Sequence, residues 1–563
     1  MAQTTFRSPP LRMRLALDRT RVETPESLSW RDGVALGLCA VYGLALVAFH
    51  RIAHDVSLRV YDFLRHAELA HRFAEGRIEV DGFYPLGYPA LLAAGVRLGP
   101  DVFVVGKVLS TASAMAVLFV SQRLVGKLLP DGGQRWLPLL AMIAVGLSPT
   151  FVQYATTPGT DMPHLALLLA SCWLVLEAFD APRPQPWLLA AGFVGGLSYL
   201  IRYTSLLIIP ALGLWLLLAY PWGRATWRRG GAYLLAFFAA AAPQLVLSAI
   251  QRGSPFYTTT LAKNVWVGNY AGPLPELTWG EVADTVSLLS VIRAGPGHFL
   301  LNWGNNIVAP TFGNDLAGLL GWYQQIAAGA EVAVTGPTGL AGIVPGILKI
   351  GALLCAGTLV LRGADWVPDL GAKAGFLAIF ALLFTAATAL AFVTERHLLP
   401  VIPLLIVLAF AALSNLAEQR WARLIGVCAI ALLAYHLAAF GYPDRWLLGY
   451  GHAAQASAVV RAQGGAADAV YTTNWGFYDY DARWLDHYEH LPIGVASVDE
   501  LVALMRARHI HYLVYDRNGG MAQWPQLEGL LHPEREPGGL RLIADPILSR
   551  EAPPNLVLVY ALP

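Results

Sequence analysis

Five places in this chain set ionisable side chains among apolar or aromatic neighbours. In the first, Asp62 and His66 stand four residues apart, a spacing that puts two side chains on one face of a helix. A carboxylate so placed can accept a proton from a hydroxyl, although a solvated polar face accounts for the same pair. Asp55 is a second carboxylate nearby and serves equally well as a helix cap. His66, Glu68 and His71 make a poor metal set, because residues five apart on a helix diverge by about 140°. In the second place, Asp161 closes the turn Thr156-Thr157-Pro158-Gly159-Thr160 and precedes Met162-Pro163-His164. An Asp there, with Pro in the first turn, reads as a helix start, which is compatible with a chemical role. Third, Arg202 interrupts the apolar stretch around Ser198 to Ser205, where it can snorkel to headgroups or bind a pair of phosphate oxygens with its planar fork. Fourth, Glu395, Arg396 and His397 stand together before Leu398-Leu399-Pro400, by chance clustering in a short loop or as a further arginine for a lipid phosphate. Fifth, Lys263 lies among Phe256, Tyr257, Trp266, Asn269 and Tyr270, which suits either a sugar- or headgroup-facing surface or an ordinary aromatic belt.

The elements that must hold these residues are membrane spans. The chain has 563 residues, 56% of them hydrophobic and only 14% charged, against roughly 25% charged in soluble domains. Apolar runs predict about eleven helices long enough to cross or nearly cross a bilayer, at 33–50, 102–122, 136–152, 162–180, 187–201, 204–220, 231–250, 337–361, 373–393, 398–417 and 422–441. The N-terminal lead holds Arg7, Arg12, Arg14, Arg19, Arg21 and Arg31 and no cleavable signal peptide, so the first helix is retained and the lead is cytoplasmic. By parity, Arg123 and Lys127, Arg183, Arg224, Arg228 and Arg229, Arg362 and Lys373, and Arg420 and Arg423 share that side. The segment 51–101, the turn at Asp161, the segment 251–336 and everything after Gly441 fall outside. The arginine-rich stretch 51–85 runs against the positive-inside rule, but long structured loops cross despite their charge.

Within that first outer loop, Val60, Phe63, Leu64, Ala67, Ala70 and Ala74 recur at helical spacing and Gly76 follows as a stop. This predicts an amphipathic helix lying in the membrane interface. Tyr84-Pro85 and Tyr88-Pro89 then lead through extended chain into a second, short apolar helix, with both tyrosines at headgroup level. The tail changes character: Ala469–Thr473, Tyr512–Tyr515 and Leu556–Tyr560 read as strands, and Val498–Arg508 as a helix opening at Ser497. The chain therefore divides into an all-α membrane domain, 1–444, and a small extracytoplasmic α/β domain, 445–563. The tail histidines His487, His490, His509 and His511 are surface residues or metal ligands. Cys39, Cys172, Cys355 and Cys428 all fall in apolar runs, which gives no disulfide framework and no cysteine zinc site. A net charge of +1 offers nothing to nucleic acid.

Taken in order, these loci resemble the GT-C superfamily of polyprenyl-phosphate-dependent glycosyltransferases, especially the bacterial branch related to protein O-mannosyltransferases and lipid A aminoarabinose transferases. The residues that carry the resemblance are Asp62 with its helix ending at Gly76, Tyr84 to Pro89, the turn ending at Asp161, Arg202 at a tight hairpin, and Arg396 to Pro400 opening a span. It covers about residues 30–440. Relatives often have adjacent acidic residues in the first loop, whereas here Asp55 and Asp62 are separated; the offset to Ala70 and Gly76 favours Asp62. The resemblance implies an inverting transfer of a sugar from a polyprenyl-phosphate donor to an extracytoplasmic glycan, lipid or protein acceptor, at the bacterial inner membrane. It implies catalytic roles for Asp62 and Asp161, donor-phosphate binding by Arg202, Lys263 and Arg396, and substrate binding by Asp55, His66, Tyr84, Tyr88, Glu395 and His397. No metal is required in this scheme, although metal-dependent relatives exist.

Sidedness gives the same donor class independently. Nucleotide sugars are made in the cytoplasm, so a site facing outward needs a sugar already carried across on a lipid. The rival classes are a lipid-linked sugar or solute transporter, whose functional charges belong near the midplane on broken helices, and a ligase or polymerase of whole glycans. The sequence shows no inverted repeat and sets its charges at span ends, which favours the transferase.

Overall fold

The computed structural model describes residues 30–52, 61–100, 102–129, 136–155, 157–220, 223–261, 264–265, 288–308, 351, 354, 368–390, 395–416 and 419–439, and, in the tail, 459–460, 462–463, 469–472, 488–491, 495–516, 525–532, 537–544 and 557–563. The N-terminal part is helical: α1 (Trp30–Ile52), α2 (Tyr61–Ala74), α3 (Gly87–Val96), α4 (Val102–Leu128), α5 (Leu137–Gly146), α6 (Pro149–Ala155), α7 (Asp161–Asp180), α8 (Pro184–Ile201), α9 (Ile208–Ala219) and α10 (Arg224–Arg252). Then come α11 (Leu288–Ala294), α12 (Pro296–Val308), α13 (Pro368–Thr388), α14 (Val401–Leu416) and α15 (Gln419–Ala439). Helices stand at ten of the expected span positions; 337–361 lies outside the described residues, apart from 351 and 354. Four helices, α1, α4, α7 and α10, are each long and apolar enough to cross a bilayer, and α5 with α6, bent by 66°, makes a fifth candidate. α9 and α14 are shorter than the sequence pattern suggested, because the 3-10 turns Tyr203–Leu207 and Glu395–Leu398 take the first residues of those spans.

Small residues let these helices approach closely where no water competes. On α8, a Cβ at Gly192 or Gly196 would collide with the backbone carbonyls of Tyr233 and Phe237 on α10. The bundle core runs through Leu165, Leu168, Leu169 and Cys172 of α7, Tyr233 and Phe237 of α10, and Phe376 and Phe380 of α13.

Ion pairs show which helix ends lie together. At one end of the bundle Asp32 of α1 accepts from Arg123 of α4 at 3.0 Å. At that end too, Lys127 of α4 reaches Glu177 at 2.7 Å and Asp180 at 3.4 Å, and Lys373 of α13 reaches Asp180 at 2.7 Å. These residues had been assigned to one membrane face by loop parity, and they meet. The start of α7 lies about 30 Å away, since its 20 residues rise 1.5 Å each. The segment 61–86 sits at that far end, against the end of α10. The described part of the disputed arginine-rich loop, residues 61–85, is thus at the opposite end of the bundle from Lys127 and Lys373.

The helix expected in that loop is present as α2, and Gly76 ends it with φ 86°, a left-handed conformation that favours glycine. Its setting differs from the expectation of an interfacial helix lying in lipid. Phe63, Ala67, Ala70 and Phe73 are buried against Tyr88 and Leu92 of α3, Val102 of α4 and Ile201 of α8. A Cβ at Gly106 of α4 would come within 2.6 Å of the Phe63 ring and 2.9 Å of Pro158, so α2, α4 and the turn before α7 close on one point. The second Tyr-Pro step also departs from the expected extended chain, because Tyr88 and Pro89 already belong to the first turn of α3, where Pro is well tolerated.

In the tail, β1 (Ala469–Thr472), β2 (Tyr488–His490), β3 (Ile510–Asp516), β4 (Arg541–Ala544) and β5 (Val557–Ala561) form one sheet in the order β2-β1-β3-β5-β4. β1 runs parallel to both β2 and β3, while β5 is antiparallel to its neighbours. Helix α16 (Val498–Ala507) packs Leu501, Val502 and Met505 on this sheet. Its start is as expected: Ser497 Oγ accepts from Glu500 N at 3.2 Å, and Glu500 returns the contact to Ala496 N at 2.8 Å. Strands β2 and β4 were not anticipated. The expected boundary at 444/445 and His487 lie outside the described residues.

Candidate active site

Asp161 is the first residue of α7 and is only 3% exposed. A buried carboxylate is costly unless paired, and two guanidiniums answer it. Arg202 donates to Oδ1 through Nη1. Arg396 donates through Nε, 3.0 Å from both Oδ1 and Oδ2. Thr160 at the cap position makes no capping hydrogen bond, so Asp161 is better described as the hub of two ion pairs than as a helix cap. Both arginines keep some exposure, 21% for Arg202 and 18% for Arg396, so each guanidinium is reachable at the helix ends.

Each partner arrives on an irregular piece of chain. α8 stops at Ile201, Arg202 adopts extended dihedrals, and a 3-10 turn, Tyr203–Leu207, leads into α9. Arg396 sits on a second 3-10 turn, Glu395–Leu398, just before α14. That turn is braced from outside by α12. Trp303 Nε1 donates to Ala386 O at 2.8 Å and Asn306 Nδ2 to Ala389 O at 3.1 Å, answering carbonyls at the end of α13. The turn before Asp161 is fixed by Ser110 Oγ on Thr157 O at 2.9 Å and by Thr157 Oγ1 on Gln153 O at 2.8 Å.

An aromatic cluster adjoins this hub. The His66 ring lies 4.5 Å from the Tyr84 ring and 5.1 Å from the Tyr88 ring, centroid to centroid. Tyr88 is fully buried, with its hydroxyl against the Gly159 backbone and within the field of Asp161. The cluster therefore touches the turn that carries the carboxylate. His66, Tyr84 and Tyr88 are brought together, and Tyr88 joins them to Asp161.

The chain between α2 and α3 is held down as a strap. Asp81 Oδ2 accepts from Arg65 Nε at 3.0 Å and Nη2 at 2.8 Å, while its Oδ1 accepts the backbone N–H groups of Phe83 and Tyr84 at 3.1 and 3.2 Å. Burial works against the Arg65 charge, but hydrogen bonds and charge from Glu68 and Asp81 outweigh it and hold the guanidinium above the ordinary arginine range. On α10, Gln244 Oε1 accepts from Leu86 N at 2.9 Å while its Nε2 donates to Tyr203 Oη at 3.2 Å. Gln251 accepts from Val80 N at 2.8 Å, and Arg252 donates to Val80 O at 2.8 Å. Asp81, Gln244, Gln251, Trp303 and Asn306 escaped the sequence reading. Gln244 had one visible signal, an amide inside an apolar span, where polar groups are rarely idle.

Other sequence candidates are not placed. Asp55 and Lys263 lie outside the described residues; Asp62 stands on α2 and Glu395 beside Arg396, but their side chains also lie outside the description. His397 is half-buried next to Arg396. Among the described residues no group of three or more His, Cys, Asp or Glu side chains could hold a metal ion. At Asp161, a cation binding both oxygens would have to displace Arg396.

Residues 85–247, under a third of the chain, match the protein family described as dolichyl-phosphate-mannose-protein mannosyltransferase. The matched stretch runs from the second Tyr-Pro step through Asp161 and Arg202 to α10. No curated protein matches the chain as a whole. The archaeal oligosaccharyltransferase AglB from Archaeoglobus fulgidus, in complex with an inhibitory peptide and a dolichol-phosphate, aligns over 89% of this chain and 72% of its own, at 12% identity and a TM-score of 0.52. The same oligosaccharyltransferase in complex with Zn and sulfate aligns over 88% of this chain and 70% of its own, at 12% identity and a TM-score of 0.52. ArnT from Cupriavidus metallidurans bound to undecaprenyl phosphate aligns over 95% of this chain and 98% of its own, at 13% identity and a TM-score of 0.49. The fold rests on the archaeal structures: it is similar to that of the oligosaccharyltransferase.

Proposed function

We propose that this chain is an inverting glycosyltransferase that moves a sugar from a polyprenyl-phosphate-linked donor to a glycan, lipid or protein acceptor on the extracytoplasmic side of the bacterial inner membrane. The observation that carries the reading is the convergence of Arg202 and Arg396 on buried Asp161 at one end of the bundle, beside Tyr84 and Tyr88. Two guanidiniums held together on one carboxylate are preorganised donors, suited to a phosphate at the membrane surface. The family match over 85–247 covers Asp161 and Arg202, and the archaeal structure of the same fold holds a dolichol-phosphate.

In the reaction, the acceptor oxygen attacks the anomeric carbon and loses its proton to the Asp62 carboxylate. The bond from that carbon to the phosphate oxygen breaks, and the lipid phosphate leaves with the electron pair. Arg202 and Arg396, with Lys263, stabilise the charge developing on that oxygen; one such donor is worth roughly 3–4 kcal/mol in enzymes. Asp161 acts by holding the two arginines. Asp55, Tyr84, Glu395 and His397 bind donor and acceptor in this scheme, and the buried His66 and Tyr88 support that substrate-binding surface from behind Tyr84. The positive charge comes from side chains, and the reaction proceeds without a metal. The paired charges stand at helix ends, away from the midplane where a transporter would carry them.

The purified protein, reconstituted with a polyprenyl-phosphate sugar and a cell-envelope extract as acceptor, tests the reading. Asp62→Asn abolishes transfer while still binding donor. Arg396→Lys, which keeps the charge but loses the planar fork, transfers at least about tenfold more slowly, within the range for one lost donor. Wild-type turnover in Asp62→Asn removes that residue as base, and absence of any polyprenyl-phosphate binding by the wild type overturns the reading.

A further inference from the structure

His164 lies one helical turn beyond Asp161 on α7 and is 1% exposed. The reaction above leaves it without a role, yet both ring nitrogens are engaged by hydroxyls that flank Arg202. Nδ1 lies 3.0 Å from Ser198 Oγ and 3.1 Å from Ser205 Oγ, and Nε2 lies 3.3 Å from Thr204 Oγ1. Ser198 belongs to the last turn of α8; Thr204 and Ser205 belong to the 3-10 turn beyond Arg202. One imidazole thus touches both arms of the reversal that presents the guanidinium.

Counting protons selects the tautomer that keeps all of these contacts at once. Ser205 spends its hydroxyl proton on Ser198 Oγ at 2.7 Å, and Ser198 spends its own on the carbonyl of His164 at 3.2 Å. With both protons used, the short contacts at Nδ1 require that nitrogen to be the donor. A neutral ring protonated at Nδ1 then accepts the Thr204 proton at Nε2, and every hydroxyl is satisfied. The opposite tautomer draws the proton of Ser198 or Ser205 onto Nδ1 and so gives up one bond of this chain, to the His164 carbonyl or to Ser198 Oγ.

We propose that His164 is a positioning residue: in its Nδ1–H form it clamps the reversal around residues 198–205, so that Arg202 meets Asp161 and, through it, the donor phosphate. The inference rests on the proposed function for its catalytic consequence, but its structural half stands apart from it.

The test has two arms. In full-length protein labelled with 15N-histidine, the resonance lost in His164→Asn reports a neutral ring protonated at Nδ1 at pH 7. A ring protonated at Nε2, or an imidazolium, overturns the assignment whatever the enzyme does. In the second arm, polyprenyl-phosphate affinity is measured for His164→Asn, His164→Gln and both changes on Arg202→Ala. The Asn amide reaches the Nδ1 position, the Gln amide the Nε2 position. His164→Asn is expected within about threefold of wild type, and His164→Gln weaker by about tenfold, as for an unmatched buried hydrogen bond. On Arg202→Ala, both changes are silent, because a residue that acts through Arg202 has nothing left to position. Equal losses in Asn and Gln, or an additive loss on Arg202→Ala, overturn the proposal. If the wild type binds no polyprenyl phosphate, the proposed function fails while the tautomer arm still decides the clamp.

Discussion

Arg396 approaches Asp161 with its Nε midway between the two carboxylate oxygens, 3.0 Å from each, across 235 residues of sequence. The carboxylate is buried and serves two cations. Its removal therefore leaves two neighbouring guanidiniums with a missing common partner, which is worse than losing one pair.

Asp161→Asn is accordingly destabilising by about 3–5 kcal/mol, the range for breaking a buried pair from one side. Asp161→Asn combined with Arg396→Gln is less destabilised than the sum of the two single changes, since residues sharing a network do not add. Thermal unfolding in detergent, followed by loss of helical signal, reads both. Additivity would show that the ion pairs are energetically independent.

Asp180 joins Lys127 and Lys373 at the opposite end of α7 and is partly exposed. Asp180→Asn costs no more than about 1 kcal/mol and leaves donor KM and turnover unchanged. Transfer assays beside melting curves separate this from the Asp161 end; a large loss of turnover would mean that the two ends are coupled through α7.

Asp81 ties Arg65 on α2 to the backbone of Phe83 and Tyr84. Asp81→Asn loosens this strap without touching the bundle core. Hydrogen exchange at amides 78–86 rises by roughly tenfold or more, as expected for losing about 1.5–3 kcal/mol of charge-assisted bonding, while exchange in α4 and α7 stays at wild-type level. Unchanged exchange in the strap would assign its order to Gln244 and Gln251 alone.

Sidedness is tested directly in a background lacking the four native cysteines. Ser254→Cys, just past α10, reacts with a membrane-impermeant maleimide from outside intact cells, whereas Arg183→Cys, between α7 and α8, reacts only after permeabilisation. The reverse pattern would put the Asp161 end in the cytoplasm, where soluble nucleotide sugars are available and a lipid-linked donor loses its rationale.

Much of this arrangement was legible in the sequence because it is local or periodic. α2 with its stop at Gly76, the break at Arg202 and the Ser497 start of α16 all follow from spacing and terminal residues. The shared side of Lys127 and Lys373 followed from loop charge and parity, which act over the whole chain, whereas Asp180 as their common partner did not. Short strands such as β2, with 3 residues, carry too little pattern to read, and they form only because the parallel neighbour β1 supplies the partner. Gln244 and Asp81 escaped the sequence reading, and His164 was seen only as a neighbour of Asp161. Each takes its role from a backbone group or hydroxyl contributed by a distant segment, and hydrogen-bond partners of that kind leave no periodicity. What covers the apolar face of α2, which is protein, was not legible for a related reason. An amphipathic pattern shows that one face is buried, and does not say whether lipid or protein covers it.

The chain separations at Asp161 bear on how the protein is made. Arg202 follows 41 residues after Asp161, but Arg396 only after 235. At about 5–20 residues per second, the second arginine leaves the ribosome roughly 12–47 s after the carboxylate. Throughout that interval the nascent bundle can hold Asp161 and Arg202 as a neutral pair, which spares it an uncompensated ion in the bilayer. The second guanidinium joins the site only when the last third of the chain inserts, so a truncated or stalled product would carry Asp161 and Arg202 without the donor pair that the site needs.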